Sequence, residues 1–166
     1  MLEIYRLGEE ILREKGAPVK IFDNALAILV DAMFETMGEA DGVGLAAPQI
    51  GLAQRLFIVD TKQPGERLVF INPQIIETSV EQVSYEEGCL SIPGAFAHIV
   101  RPSEVTVQAL DLKGKPFTLK ATNLLARVIQ HENDHLNGVL FIDHMEAEAR
   151  DKLLEFYHRQ NKRKHS

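Results

Sequence analysis

The chain has a single cysteine in 166 residues. It therefore cannot form an internal disulfide, and a reducing compartment would keep Cys89 a free thiol, able to ligate or to react. Long apolar runs are also missing, so no segment is expected to cross a bilayer. The opening stretch, MLEIYRLGEE, has no basic start, apolar core or small-residue cleavage site, which predicts a cytoplasmic protein without a membrane partner. There is no internal repeat, low-complexity tract or long Pro/Gly/Ser linker, and the length suits one domain with a core of its own. Excess positive charge is lacking too. A net charge of −6 argues against a general nucleic-acid surface, and no DNA partner is expected. The exception is the last nine residues, HRQNKRKHS, where Arg159, Lys162, Arg163 and Lys164 meet no acid, leaving the remainder at −10. The division read from this is one domain over residues 1–157 and a basic tail over 158–166.

Hydrophobic spacing sets the expected elements. Leu26, Leu29, Val30, Met33, Phe34 and Met37 recur at helical intervals after a capping Asp23 or Asn24, with Gly38 or Gly42 to stop the helix. The middle third changes period: RLFIVD, LVFIN, EQVSY and EVTVQAL are short β-branched runs separated by QPGE, NP, IPG and RP. EVTVQALDLKGKPFTLKA alternates on both sides of DLKGK, as a hairpin does. Helical spacing returns from about Leu124 to Asn137, ahead of Gly138, and again from about Glu146 to His158. The fold class is α+β: a mostly antiparallel sheet packed around a central helix that carries an HExxH motif, with an N-terminal helix and a C-terminal helix.

That motif is HENDH, residues 131–135. His131 and His135 are one helical turn apart on one face, so both imidazoles can reach a single cation, and Glu132 is placed to take a proton from water as general base. A catalytic divalent site wants three protein ligands and an open position. The extended pattern H-E-x-x-H-x-x-G-x-x-H finds its glycine at Gly138 but has Phe at 141. Downstream glutamates Glu146, Glu148 and Glu155 are available, which leaves open a zinc endopeptidase using His131, His135 and Glu155. Cys89, within EGCLS, is the stronger third ligand, because thiolates suit borderline metals and the preceding glycine allows close approach. The lesser alternatives are a small buried hydrophobe, half of a Cys/His nucleophilic pair, and part of a closed structural metal module without catalysis.

GVGLAAPQIG, residues 42–51, has too few glycines for a nucleotide fingerprint. It reads either as a tight turn or as a backbone edge lying against a ligand, with Gln49 offering a neutral amide donor. Taken together and in order, GVGLAAPQ, EGCLS and HENDH resemble the three motifs of the peptide deformylase family, and INP, SIPG and HLNGVLFIDH extend the resemblance over most of the chain. The resemblance implies a metal-dependent hydrolase that removes the formyl group from the N-terminal formylmethionine of nascent polypeptides and releases formate. It implies Cys89, His131 and His135 as metal ligands and Glu132 as the proton carrier. Gln49 and the backbone N–H of Leu90 would form the oxyanion site. It also implies iron(II), with nickel, cobalt or zinc able to replace it, and N-formylmethionyl peptides as partners.

Residues before His131 on the same helical face, Leu124, Arg127 and Val128, are candidates for the methionine pocket, although Leu124 and Val128 could simply be core. Val43 and Gly44 are expected to present a backbone edge to the peptide as an added strand. Asn133, where the family more often has an apolar residue, falls on the face of Ile129 and Leu136, away from the metal, so its amide needs partners if that face is buried. The basic tail is a candidate for ribosome contact through RNA phosphates.

Overall fold

The computed structural model describes residues 2–164. Helix α1 spans Asn24–Glu39, and the side chain of its N-cap Asp23 accepts a hydrogen bond from the backbone N–H of Leu26, one of the donors a helix start leaves unpaired. Seven strands follow: β1 Gly44–Ala46, β2 Leu56–Asp60, β3 Arg67–Thr78, β4 Gln82–Cys89, β5 Ile92–Pro102, β6 Glu104–Leu110 and β7 Pro116–Thr122. Helix α2, Asn123–Leu136, leads to α3, Ala147–Lys164. All named strand pairs are antiparallel. Five strands form one sheet in the order β1-β2-β3-β6-β7, and β4 with β5 forms a separate two-stranded ribbon.

Strand β2 shows why this sheet has helices on both faces. Its run LFIV has no polar alternation because both sets of side chains are covered. Leu56 and Ile58 enter the core formed with Leu26, Val30, Met33 and Met37 of α1. Phe57 and Val59 point the other way, into the core shared with Leu125, Ala126, Val128 and Ile129 of α2. Phe57 stacks on Phe70 with ring centroids 4.8 Å apart. The other flank of α2 meets the ribbon: Gln130 Nε2 donates to the carbonyl of Pro102, and Arg127 reaches the carbonyls of Ile99 and Val83. The HExxH helix is thus held between sheet and ribbon.

The expected elements are found, with three differences. The ribbon strand β5 was not expected. Its IPG opening resembles a turn, and the apolar Phe96 and Val100 point to solvent, which hides the alternation. Strand β1 is only three residues long and sits in the glycine loop. Helix α3 continues to Lys164 instead of ending near His158, so residues 158–164 of the basic segment are helical, while 165 and 166 lie outside the described residues. Tyr157 is buried in the core that Ile92, Ile99, Phe141 and Ile142 form on the ribbon side. Among the described residues no helix is long and apolar enough to cross a membrane.

Candidate metal centre

Strand β4 slips register between Gly88 and Cys89, and a turn of two residues, Leu90 and Ser91, leads back to Ile92, which pairs with Cys89. This turn delivers the thiol to α2. Cys89 Sγ lies 3.3 Å from His135 Nε2, and ligand atoms of Cys89, His131 and His135 all fall within 4.8 Å of one another. One helical turn brings the two imidazoles together edge to face, with centroids 5.1 Å apart. The carboxylate of Glu87 stands 2.9 Å from His131 Nδ1, so that nitrogen donates to Glu87 and Nε2 is left to face the cluster. Two imidazoles and a thiolate suit divalent first-row metals, and three donors leave a position open, so these residues fit the metal that the motif implies.

Glu132 is buried beside them, its Oε2 3.9 Å from His131 Nε2, while its Oε1 has no hydrogen-bond partner among the described residues. Burial lifts its carboxyl to about 7, against the opposing pull of His131. Burial also disfavours charge on His131, but the surrounding Glu132, Cys89 and Glu87 outweigh it and raise His131 well above its ordinary value. Surroundings that attract a proton there also favour a cation. His135 is pushed well below its ordinary value by burial and by the charge of His131, which keeps it a neutral imidazole.

Gln49 is fixed on both ends. The backbone N–H of Ala46 donates to its Oε1 at 2.9 Å, and its Nε2 donates to Ser91 Oγ at 3.1 Å and lies 3.5 Å from Cys89 Sγ. The amide nitrogen therefore faces the cluster. Strand β1 crosses so close to α2 that a β-carbon on Gly44 would lie 2.6 Å from Glu132 Oε2 and 2.7 Å from Val128 Cγ1. A β-carbon on Gly42 would lie 2.7 Å from Leu90 Cδ1. Val43, Gly44, Gln49, Leu90, Leu124, Arg127, Val128 and Glu132 all border one cleft of about 1100 Å³ that also reaches Cys89 and His131.

The downstream-glutamate alternative is not supported by this geometry. Glu146, Glu148 and Glu155 are exposed, and Glu155 lies 3.9 Å from Arg159 on the surface of α3. Sequence reasoning also missed the groups behind the ligands. Glu87 takes the Nε of Arg101 at 2.6 Å and Nη1 of Arg127 at 2.8 Å, and Arg101 reaches on to Asp134 at 2.9 Å. Burial works against the ionised form of Glu87, but the hydrogen bonds from His131 and Arg101, with their charges, hold it far below the usual carboxylate range. Glu87 was visible as the first letter of EGCLS; nothing in the sequence joined it to Arg101. Asn133 is half-buried, and its Oδ1 is buried without a partner among the described residues.

The chain matches the family model described as polypeptide deformylase over residues 1–151. It is 46% identical over 159 residues to the peptide deformylase of Borreliella burgdorferi, with 96% of each chain covered. With that of Clostridium botulinum the identity is 52% over 140 residues, covering 84% of this chain and 93% of the relative. The fold is similar to the crystal structure of peptide deformylase from Ehrlichia chaffeensis at a TM-score of 0.94 and 35% identity, covering 100% of this chain and 99% of that one.

Proposed function

Since the chain belongs to the peptide deformylase family, we infer that Cys89, His131 and His135 are the ligands of the metal on which its activity depends. The chain is a metal-dependent hydrolase that removes the formyl group from the N-terminal formylmethionine of nascent polypeptides, and N-formylmethionyl peptides are its substrates. The observation that supports the ligand set best is the convergence of three donors from β4 and α2 within 4.8 Å. Iron(II) is the metal proposed, and the same donors accept nickel, cobalt or zinc.

When bound, the cation supplies Lewis-acid chemistry, polarising the formyl oxygen and making a water acidic near neutral pH. Glu132 would take a proton from the attacking water as the water oxygen adds to the formyl carbon, and give it to the amine nitrogen as the C–N bond breaks. Formate and a free N-terminus leave. Gln49 Nε2 and the N–H of Leu90 donate to the oxyanion that develops on the formyl oxygen. Val43 and Gly44 supply the backbone edge along which the peptide adds as a strand, and β1 is an edge strand of its sheet. Leu124 and Val128 line the pocket for the methionine side chain. A formyl hydrogen fits where an acetyl methyl would clash, so N-formyl-Met peptides are the preferred substrates over N-acetyl-Met ones. The cytoplasm is the proposed location, and the basic end of α3 is the proposed ribosome contact.

Metal content and formate release measured on variants test this assignment. Cys89→Ala, His131→Ala and His135→Ala are each expected to lose metal. Glu132→Gln is expected to keep metal and lose roughly 100- to 10,000-fold in kcat. Near-normal turnover by Glu132→Gln would overturn the mechanism.

A further inference from the structure

Arg127 borders the cleft next to Leu124 and Val128, a position from which a cation could hold peptide carbonyls. Three of the five N–H donors of its guanidinium are already engaged. Nη1 donates to Glu87 Oε2 at 2.8 Å and to the carbonyl of Ile99 at 2.6 Å, and Nη2 donates to the carbonyl of Val83 at 2.7 Å. Glu87 in turn accepts from His131 Nδ1 at 2.9 Å through its other oxygen. Arg101 clamps the same carboxylate with Nε at 2.6 Å and Nη2 at 3.0 Å. The side chains of Arg101, Arg127 and Glu87 are 6%, 8% and 3% exposed, so none can turn to solvent for a replacement partner. With Asp134 on Arg101, the group holds two acids and two guanidiniums and is formally neutral.

We propose that Arg127 is a positioning residue of the metal centre, acting on His131 through Glu87, and is not a contact of the peptide whose cleft it borders. A carboxylate can accept from His131 along many directions, and only one of them aims Nε2 at Cys89 and His135. Arg101 alone holds Glu87 from the Asp134 side. Arg127 adds the second restraint and fixes it to both ribbon strands by backbone carbonyls, so that the carboxylate, the imidazole and the helix move as one unit. The proposal rests on Cys89, His131 and His135 being the ligands.

The test is a titration of metal-stripped protein with Co²⁺, read by visible absorption and by chelator competition. It is joined to kcat and KM on a short formyl-Met peptide at saturating Co²⁺ and to the thermal midpoint without metal. The proteins are wild type, Arg127→Met, Glu87→Gln and the double variant. Each single variant is expected to bind Co²⁺ roughly 10- to 100-fold more weakly, with a shifted absorption band. KM should stay within about twofold of wild type for Arg127→Met. The double variant should bind no more weakly than Glu87→Gln, because both changes cut one path. A raised KM in Arg127→Met with unchanged Co²⁺ affinity and band would make it a peptide contact and overturn the proposal. So would losses that multiply in the double variant, or a lowered thermal midpoint with an unaltered metal titration. If Arg127→Met does not fold, Arg127→Lys is read by the same criteria, since an ammonium keeps the charge but not the planar fork. Cys89→Ala in the same titration tests the ligand set separately. Normal Co²⁺ binding by Cys89→Ala removes that reading, whereas loss of binding there with normal binding by Arg127→Met removes only the role of Arg127.

Discussion

At Gly44 the distance between strand and helix leaves no room for a methyl group, since a β-carbon would lie 2.6 Å from Glu132 Oε2. Gly44→Ala must push either the strand or the carboxylate aside, and the carboxylate is the softer. The expected result is unchanged metal content with turnover down on the order of 100-fold, the usual effect of displacing a reacting group by about an ångström. Formate release per bound metal checks it. Asn133 presents the opposite case, a side chain whose chemistry does not suit its place. Its buried Oδ1 has no partner among the described residues, and an unpaired buried acceptor costs about 1–3 kcal/mol. Asn133→Leu is expected to raise unfolding stability in urea by about 1 kcal/mol and to leave activity within about twofold. A destabilised Asn133→Leu protein would mean that this oxygen has a partner, such as a bound water.

At the scale of elements, the tie between the N-terminal segment and the loop after α2 titrates. Arg13 donates to both oxygens of Asp143, at 2.6 and 3.2 Å, and the N–H of Leu140 donates to one of them. Burial would raise the carboxyl, but these bonds outweigh it and hold Asp143 below its ordinary 3.8. A lowered carboxyl pKa contributes stability above 3.8 that is lost as pH falls through the folded value. Arg13 is 47% exposed, so solvent screening keeps the pair small, and Asp143→Asn is expected to cost about 0.5 kcal/mol at neutral pH. Urea unfolding of both proteins should show that difference shrinking as pH falls below 3.8.

For the whole molecule, charge is distributed unevenly. The chain carries −6 overall, yet its last nine residues bear four cations and no acid. Helix α3 buries Tyr157 against the ribbon-side core and continues beyond it with exposed His158, Arg159 and Gln160. A chain ending at Tyr157 keeps that anchor. It is expected to turn over a short formyl peptide at a rate within about twofold of the full chain, while co-sedimenting less with ribosomes at low salt. For the full chain, sedimentation should fall steeply as salt rises. Equal sedimentation of the two forms, or indifference to salt, would remove the tail from the proposed function.

What the sequence determined by itself is what local periodicity can carry. The i, i+4 spacing puts His131 and His135 on one face of a helix with Glu132 beside them, and the apolar intervals locate α1 and α2 to within a residue or two of their observed ends. EGCLS offered Cys89 as a third ligand, and the three motifs in order pointed to the family. Only the tertiary structure decided how groups far apart in the chain meet. Cys89 reaches His135 across 46 positions because a register slip in the ribbon turns its side chain toward α2. Glu87, Arg101 and Arg127 join because both strands of that ribbon flank one helix. The ribbon strand β5 escaped sequence reading because Phe96 and Val100 are apolar on its exposed face. Spacing along a chain fixes geometry inside one element, where the backbone sets the angle between residues, whereas the angle between elements is set by packing and pairing, which no short stretch of sequence contains.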